Sequence, residues 1–166
     1  EEVLPSANCG GCGYAGCRAF AEAIVKKGNM EGFNCPVGGT NIMMEVGKVL
    51  GLEADITEPQ IAVVRCNGSV HNSPAKVKYD GISNCAAAAS VYSGEGGCSF
   101  GCLGLGDCEV SCDFDAIHIN PETMLPEVTA NCVACNACVV ACPKDIIELR
   151  NVGKKERRIF VACVNE

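Results

Sequence analysis

Cys132, Cys135, Cys138 and Cys142 follow one another as C-x2-C-x2-C-x3-C, with Pro143 directly behind the last. Thiols this closely spaced share a metal centre or a redox bond. A tight loop places three sulfurs on one face of an iron–sulfur cubane. The chain then turns helical, which throws the fourth sulfur outward to another centre, and Pro143 helps turn it away. A zinc ribbon uses two C-x2-C pairs set well apart and does not need the added C-x3-C-P. The chemistry this run points to is one-electron transfer at iron.

Thirty residues earlier "CEVSCDFDAIHI" aligns with "CVVACPKDIIEL". Cys102 matches Cys132, Cys108 matches Cys138, Cys112 matches Cys142, Asp115 matches Asp145 and Ile117 matches Ile147. Residues 97–150 are thus an internal repeat of the bacterial ferredoxin pattern, each half a ligand loop, a helical turn and a strand. "NPETMLP" between the halves has the residues of a hairpin turn. The first half has a gap, because Leu105 stands where the second has Cys135, and leucine has no donor atom. Cys98, four residues before Cys102, is the nearest replacement. Two cubanes are expected, one on Cys98, Cys102, Cys108 and Cys142, the other on Cys112, Cys132, Cys135 and Cys138. The competing arrangement is a three-iron cluster on Cys102, Cys108 and Cys142 alone. Asp113 replaces Pro143 in this half, so its turn is looser.

A third set opens the chain: Cys9, Cys12 and Cys17, then Cys35 before Pro36. Three ligands come from a glycine-rich loop and a helix start, and the fourth returns after the helix. A further four-iron cluster is expected here, and a zinc site has a compatible spacing. Three cysteines remain, Cys66, Cys85 and Cys163. They are either buried thiols, which behave as small apolar residues, or an incomplete cluster site whose fourth ligand lies beyond Glu166.

Certain elements must hold these groups. "GCRAFAEAIVKKG" reads as a helix with Phe20, Ala23, Ile24 and Lys27 on one side and Gly28 as its stop. "TNIMMEVGKVLG" reads as a second, capped by Thr40 and ended by Gly51, with Ile42, Met43, Val46, Val49 and Leu50 as its apolar stripe. Pro59–Cys66 reads as a buried strand, and "SNCAAAASVYSG" as a short helix ended by Gly94. "RRIFVACVN" has the shape of the 59–66 strand, and the two are expected in one small sheet. The expected fold is α+β. A small helical four-cysteine domain covers 1–56, and a small α/β segment covers 57–97 and 151–166. A ferredoxin-like two-cluster unit covers 98–150.

Composition agrees. The chain has 166 residues, 15 of them cysteine, with three Tyr, five Phe and no Trp. So little aromatic material leaves a small core, and small domains often rely on metal or disulfides. A disulfide framework would leave one of 15 thiols unpaired and does not account for pairs such as "CGGC". The formal charge of −7 grows more negative with every thiolate-bound cluster, which disfavours phosphate backbones and argues against nucleic acid. The basic run Lys154–Arg158 is a solvated tip or a patch for an acidic partner. "GLGD" lacks a dinucleotide-loop context. His71 and His118 read as bystanders, with His118 on the outer face of its strand. No Ser–His–Asp set or paired acid–base carboxylates can be placed. No signal peptide or membrane-length apolar run is present, and the ends, "EEVLP" and "CVNE", suggest a fragment.

Taken together, "NCGGCGYAGCRAFA…CPVGG", "VVRCNG", "GCSFGCLGLGDC" and "CVACNACVVACPKDIIEL" resemble the B component of the Rnf-type ion-translocating ferredoxin:NAD oxidoreductase complex. The resemblance implies the iron–sulfur part of a longer polypeptide on the cytoplasmic side of the cell membrane. Anchoring would come through a missing N-terminal helix or partner subunits. It implies three [4Fe-4S] clusters in this stretch that relay single electrons as part of an enzyme complex. It also implies soluble ferredoxin as donor, and other membrane subunits carrying flavin and NAD sites. Two other readings remain. One is an iron–sulfur component of a metabolic enzyme such as a corrinoid-reactivating protein, whose four-cysteine domain is similar to residues 1–35. The other is a structural zinc scaffold.

Overall fold

A computed structural model describes residues 1–54, 58–152 and 160–164. Among the described residues the fold is mixed, with short helices and two two-stranded sheets. The chain divides into two compact units. The first is Glu1–Gln60 with Val133–Cys135 and Asn151–Lys154; the second is Ile61–Cys132 with Asn136–Arg150 and Lys155–Glu166.

In the first unit α1 spans Cys17–Lys27 and buries Phe20 and Ile24. Gly28 ends it in the left-handed conformation, φ 71°, where a side chain is disfavoured. Its first turn is capped from a distance, since Asn8 Oδ1 accepts the Cys17 N–H at 2.9 Å. That bond also ties the residue before Cys9 to the helix carrying Cys17. α2 spans Gly39–Leu50. Thr40 was the expected cap, but the cap position falls at Gly38, and Thr40 lies inside the helix. Of the expected stripe, Met43 is buried, Ile42, Val46 and Leu50 pack at its margin, and Val49 faces out. The core joins Leu4, Phe20, Ile24, Met30, Phe33, Cys35 and Met43. Tyr14, Phe20 and Phe33 form a ring trio with centroids 5.6 to 5.8 Å apart.

Gly47 is buried in α2, and the chain folds back over it, so that a Cβ would stand 2.7 Å from the Leu52 carbonyl. Alanine would gain about 1 kcal/mol of helix propensity but forces backbone apart at a cost of about 1–3 kcal/mol. Gly47→Ala is therefore expected to lower stability. Denaturant unfolding followed by far-UV circular dichroism checks this, and a raised midpoint would refute the crowding argument.

The second unit holds all but an end residue of β1 (Gln60–Val64) and of β4 (Ile147–Asn151), which pair with each other. The Arg65 N–H donates to the Ile146 carbonyl at 2.6 Å. The 157–165 stretch, expected in one sheet with β1, lies partly outside the described residues, and its described residues 160–164 lie outside any strand. The basic run 154–158 lies outside the described residues. Next come α3 (Cys85–Val91), α4 (Asp107–Val110), β2 (Ile117–Ile119), β3 (Pro126–Val128) and α5 (Ala137–Ala141). β2 and β3 form an antiparallel hairpin pairing Ile117 with Val128, His118 with Glu127 and Ile119 with Pro126.

The thirty-residue repeat is written into the backbone. α4 and α5 start thirty residues apart, as do β2 and β4. Positive φ recurs in matched pairs: Gly104 and Ala134 at 70° and 56°, Gly106 and Asn136 at 85° and 72°, Asp115 and Asp145 at 50° and 52°. These are positions where glycine, asparagine and aspartate are the least strained. The core consists of Ala62, Cys108, Ile117, Cys138, Ile146 and Ile147.

Candidate iron–sulfur centres

Cys9, Cys12, Cys17 and Cys35 line one cavity in the first unit, walled by Leu4, Phe20 and Val37. Left-handed backbone at Gly10 and Gly13, φ 71° and 83°, curls the loop between the first two cysteines and Cys17. Cys35 is buried, and its sulfur accepts the Gly38 N–H at 3.3 Å. Burial pushes its thiol up, the Gly38 N–H pulls it back, and the thiols of Cys12, Cys17 and Cys9 push it up again. The four donors thus surround one space, with an amide aimed at sulfur. This suits a thiolate-bound cluster.

The second unit has a comparable cavity, and its four cysteines are Cys85, Cys102, Cys108 and Cys142. Apolar Ile119, Pro126, Ile146 and Ile147 help close it. Cys98, expected here, is not on its wall; it lines a separate opening with Asn67, Gly68, Ser73 and Lys76. Cys85, expected with Cys66 and Cys163, stands in the place expected for Cys98. Burial first, and neighbouring thiols with Cys85 and Cys142 among them, push Cys102 up to about 11 and Cys108 up to about 12. Without a metal these thiols are neutral at pH 7, so metal uptake must release their protons. Gly104 N–H donates to Cys102 Sγ at 3.4 Å.

Of the remaining expected set, Cys112 accepts the Ala116 N–H and Cys132 the Ala62 N–H, each at 3.4 Å, and Cys138 is buried. Cys135 is counted with the first unit, where a Cβ on Gly11 would stand 3.0 Å from the Cys135 Cβ. Cys66 accepts N–H bonds from Gly68 and Cys102 at 3.4 Å. Cys163 is exposed, and its carbonyl accepts from Arg65 at 2.9 Å. The Arg65 Nε is buried with no hydrogen-bond partner among the described residues.

Among the described residues no three His, Cys, Asp or Glu side chains are drawn close enough to hold a single metal ion. A tetrahedral zinc site would hold its sulfurs about 4 Å apart. His118 is half-exposed and sits between Glu109 Oε1 at 3.4 Å and the Asp115 carbonyl at 3.2 Å. His71 is exposed. No helix among the described residues is long and apolar enough to cross a membrane.

Comparison with known proteins agrees with this chemistry. Residues 4–37, which contain Cys9, Cys12, Cys17 and Cys35, match a family model described as "Putative Fe-S cluster". The chain is 40% identical, over 98% of its length, to the B component of the Na(+)-translocating ferredoxin:NAD(+) oxidoreductase complex of Acetobacterium woodii, covering 48% of that protein. It is 37% identical over 97% of its length to the B component of an ion-translocating oxidoreductase complex of Methanosarcina acetivorans, covering 60%. It is 39% identical over 98% of its length to the B component of the proton-translocating ferredoxin:NAD(+) oxidoreductase complex of Clostridium ljungdahlii, covering 56%. The chain thus spans about half the length of the curated relatives it matches. Along nearly its whole length it is a relative of the B components of ion-translocating oxidoreductase complexes.

Proposed function

We propose that the chain is the electron-carrying segment of a membrane-bound ion-translocating oxidoreductase. It takes single electrons from reduced ferredoxin and passes them toward subunits that reduce NAD. The observation that carries this is the pair of cavities, each lined by four cysteines, on a chain related throughout to such proteins. Iron–sulfur clusters supply one-electron chemistry with no bond made on the protein. The chain's own part is to hold the sulfurs, aim N–H groups such as those of Gly38 and Gly104 at them, and keep water out with apolar walls. Such hydrogen bonding, burial and charge set the reduction potential.

In this reading the [4Fe-4S] sets are Cys9, Cys12, Cys17 and Cys35 in the 1–56 domain, and two more in the ferredoxin-like stretch 98–150. One of these is on Cys112, Cys132, Cys135 and Cys138, and the other is built around Cys102, Cys108 and Cys142. Residues 57–97 and 151–166 would be the small strand/helix segment pairing around that insert. The proposed location is the cytoplasmic side of the membrane, reached through partner subunits. The relatives' names favour this role over a corrinoid-reactivating one.

Anaerobic purification with iron and sulfide quantitation, followed by titration with reduced ferredoxin, tests it. The expected result is about twelve irons per chain, stoichiometric reduction by ferredoxin and no cobalamin binding. About sixteen would add a centre on leftover cysteines with an outside ligand. Colourless zinc-loaded protein, or clusters inert to ferredoxin, would overturn the reading.

A further inference from the structure

We propose that Cys85 is the fourth thiolate of the centre on Cys102, Cys108 and Cys142, standing in for the cysteine absent at Leu105. The inference rests on the iron–sulfur reading above and assigns a ligand that ferredoxin spacing does not supply.

Two independent features point the same way. First, Cys85 lines the same cavity as the other three, and Cys98 does not. Second, the ligand loop itself grips the start of α3. The Asp107 carboxylate accepts the N–H of Cys85 at 2.9 Å and of Ala86 at 3.2 Å. Asp107 directly precedes Cys108, so one residue fixes a ligand on each side. Leu105, the repeat counterpart of Cys135, lies two residues before this same Asp107, so the loop that lacks its cysteine is the loop that holds Cys85. Asn84 caps α3 by accepting the Ala87 N–H at 2.8 Å, and Cys85 is buried; its position is set from both sides. Cys85 binds as thiolate, its proton going to solvent, and no electron changes hands. Asp107 is a positioning residue. Cys66, Cys98 and Cys163 become the cysteines left over.

The test compares Cys85→Ser and Cys98→Ser in the otherwise unmodified chain, purified without air. Iron, sulfide and oxidised-state electron paramagnetic resonance are measured. The iron count of the parent protein tests the relay reading by itself. Cys85→Ser is expected either to lose about a third of the iron or to show a three-iron signal near one spin per chain. Cys98→Ser should retain the parent's iron content and spectrum. Because Cys85 is buried, its loss could disturb folding, so Leu105→Cys is added to Cys85→Ser. That change returns a thiol at the standard spacing and is expected to restore the four-iron centre; a purely structural role for Cys85 would not be rescued this way. The proposal falls if Cys98→Ser gives the three-iron signal and Cys85→Ser does not. It falls equally if the fresh parent already shows that signal, or if Leu105→Cys restores nothing.

Discussion

Stripping iron from the chain is expected to unfold the second unit while the first keeps most of its helical structure. The two cores differ in what they are made of. In the second unit two of the six buried core residues are cysteines, Cys108 and Cys138, and five more cysteines are among the eleven residues packed around them. The apolar remainder at its centre is Ala62, Ile117, Ile146 and Ile147. At about 1.5–3 kcal/mol per fully buried aliphatic side chain, that is too little to order so many short elements against chain entropy. Its elements also end on the loops that carry sulfur, so the metal's binding energy is its folding energy. Structural metal sites supply on the order of 10 kcal/mol in this way. In the first unit one of seven buried residues is a cysteine, and the Tyr14, Phe20 and Phe33 rings pack with Ile24 and Met43. Hydrogen exchange read by mass spectrometry, before and after anaerobic chelation, checks this. Peptides from 102–150 should lose protection by orders of magnitude, and peptides from α1 and α2 should lose much less. Equal loss in both would show that iron, not apolar packing, holds the first unit as well.

The same contrast explains what could be seen in the sequence. Short-range devices were legible because local chemistry dictates them. Gly28 and Gly51 end α1 and α2 in left-handed backbone, and the thirty-residue alignment reappears in matched positive φ at Gly106 and Asn136. Long-range choices were not. The 59–66 and 157–165 stretches have similar apolar shapes, so pattern alone could not show that β1 pairs with β4. The gap at Leu105 directed the search to the nearest cysteine, Cys98, whereas the cysteine that lines the cavity with Cys102, Cys108 and Cys142 is seventeen residues upstream of Cys102. Spacing sees only how far apart residues lie along the chain. What holds Cys85 at that wall is a carboxylate, Asp107, accepting the N–H groups of Cys85 and Ala86 at the start of α3. An Asn-Cys pair opening an alanine-rich helix was visible, but the helix's destination was not. Thr40 shows the opposite error, a sound local rule applied two residues late, since the turn at Pro36–Gly38 had already started the helix.

Cys35→Ala is expected to remove one whole centre, about a third of the iron in a chain holding about twelve, and to leave the other signals unchanged. Cys35 has two roles that substitution can separate. It closes the ring of sulfurs around the first cavity, and it is a buried member of the core beside Phe20 and Phe33. Alanine keeps a small apolar group, so packing suffers modestly, whereas three thiolates in a glycine-rich loop lose the one donor that returns from behind the helix. Ile24→Ala is the matched control. Ile24 is 1% exposed and is not on the wall of the cysteine-lined cavity, so its truncation should cost about 2–5 kcal/mol with the full iron complement kept at temperatures where the protein is folded. The two variants are therefore predicted to split, one losing iron with its helices retained, the other losing stability with its iron retained. Iron quantitation beside thermal melts reads both quantities on the same samples. Were both variants to lose the same iron in proportion to their instability, cluster loss would report unfolding alone, and Cys35 would have no claim as a ligand.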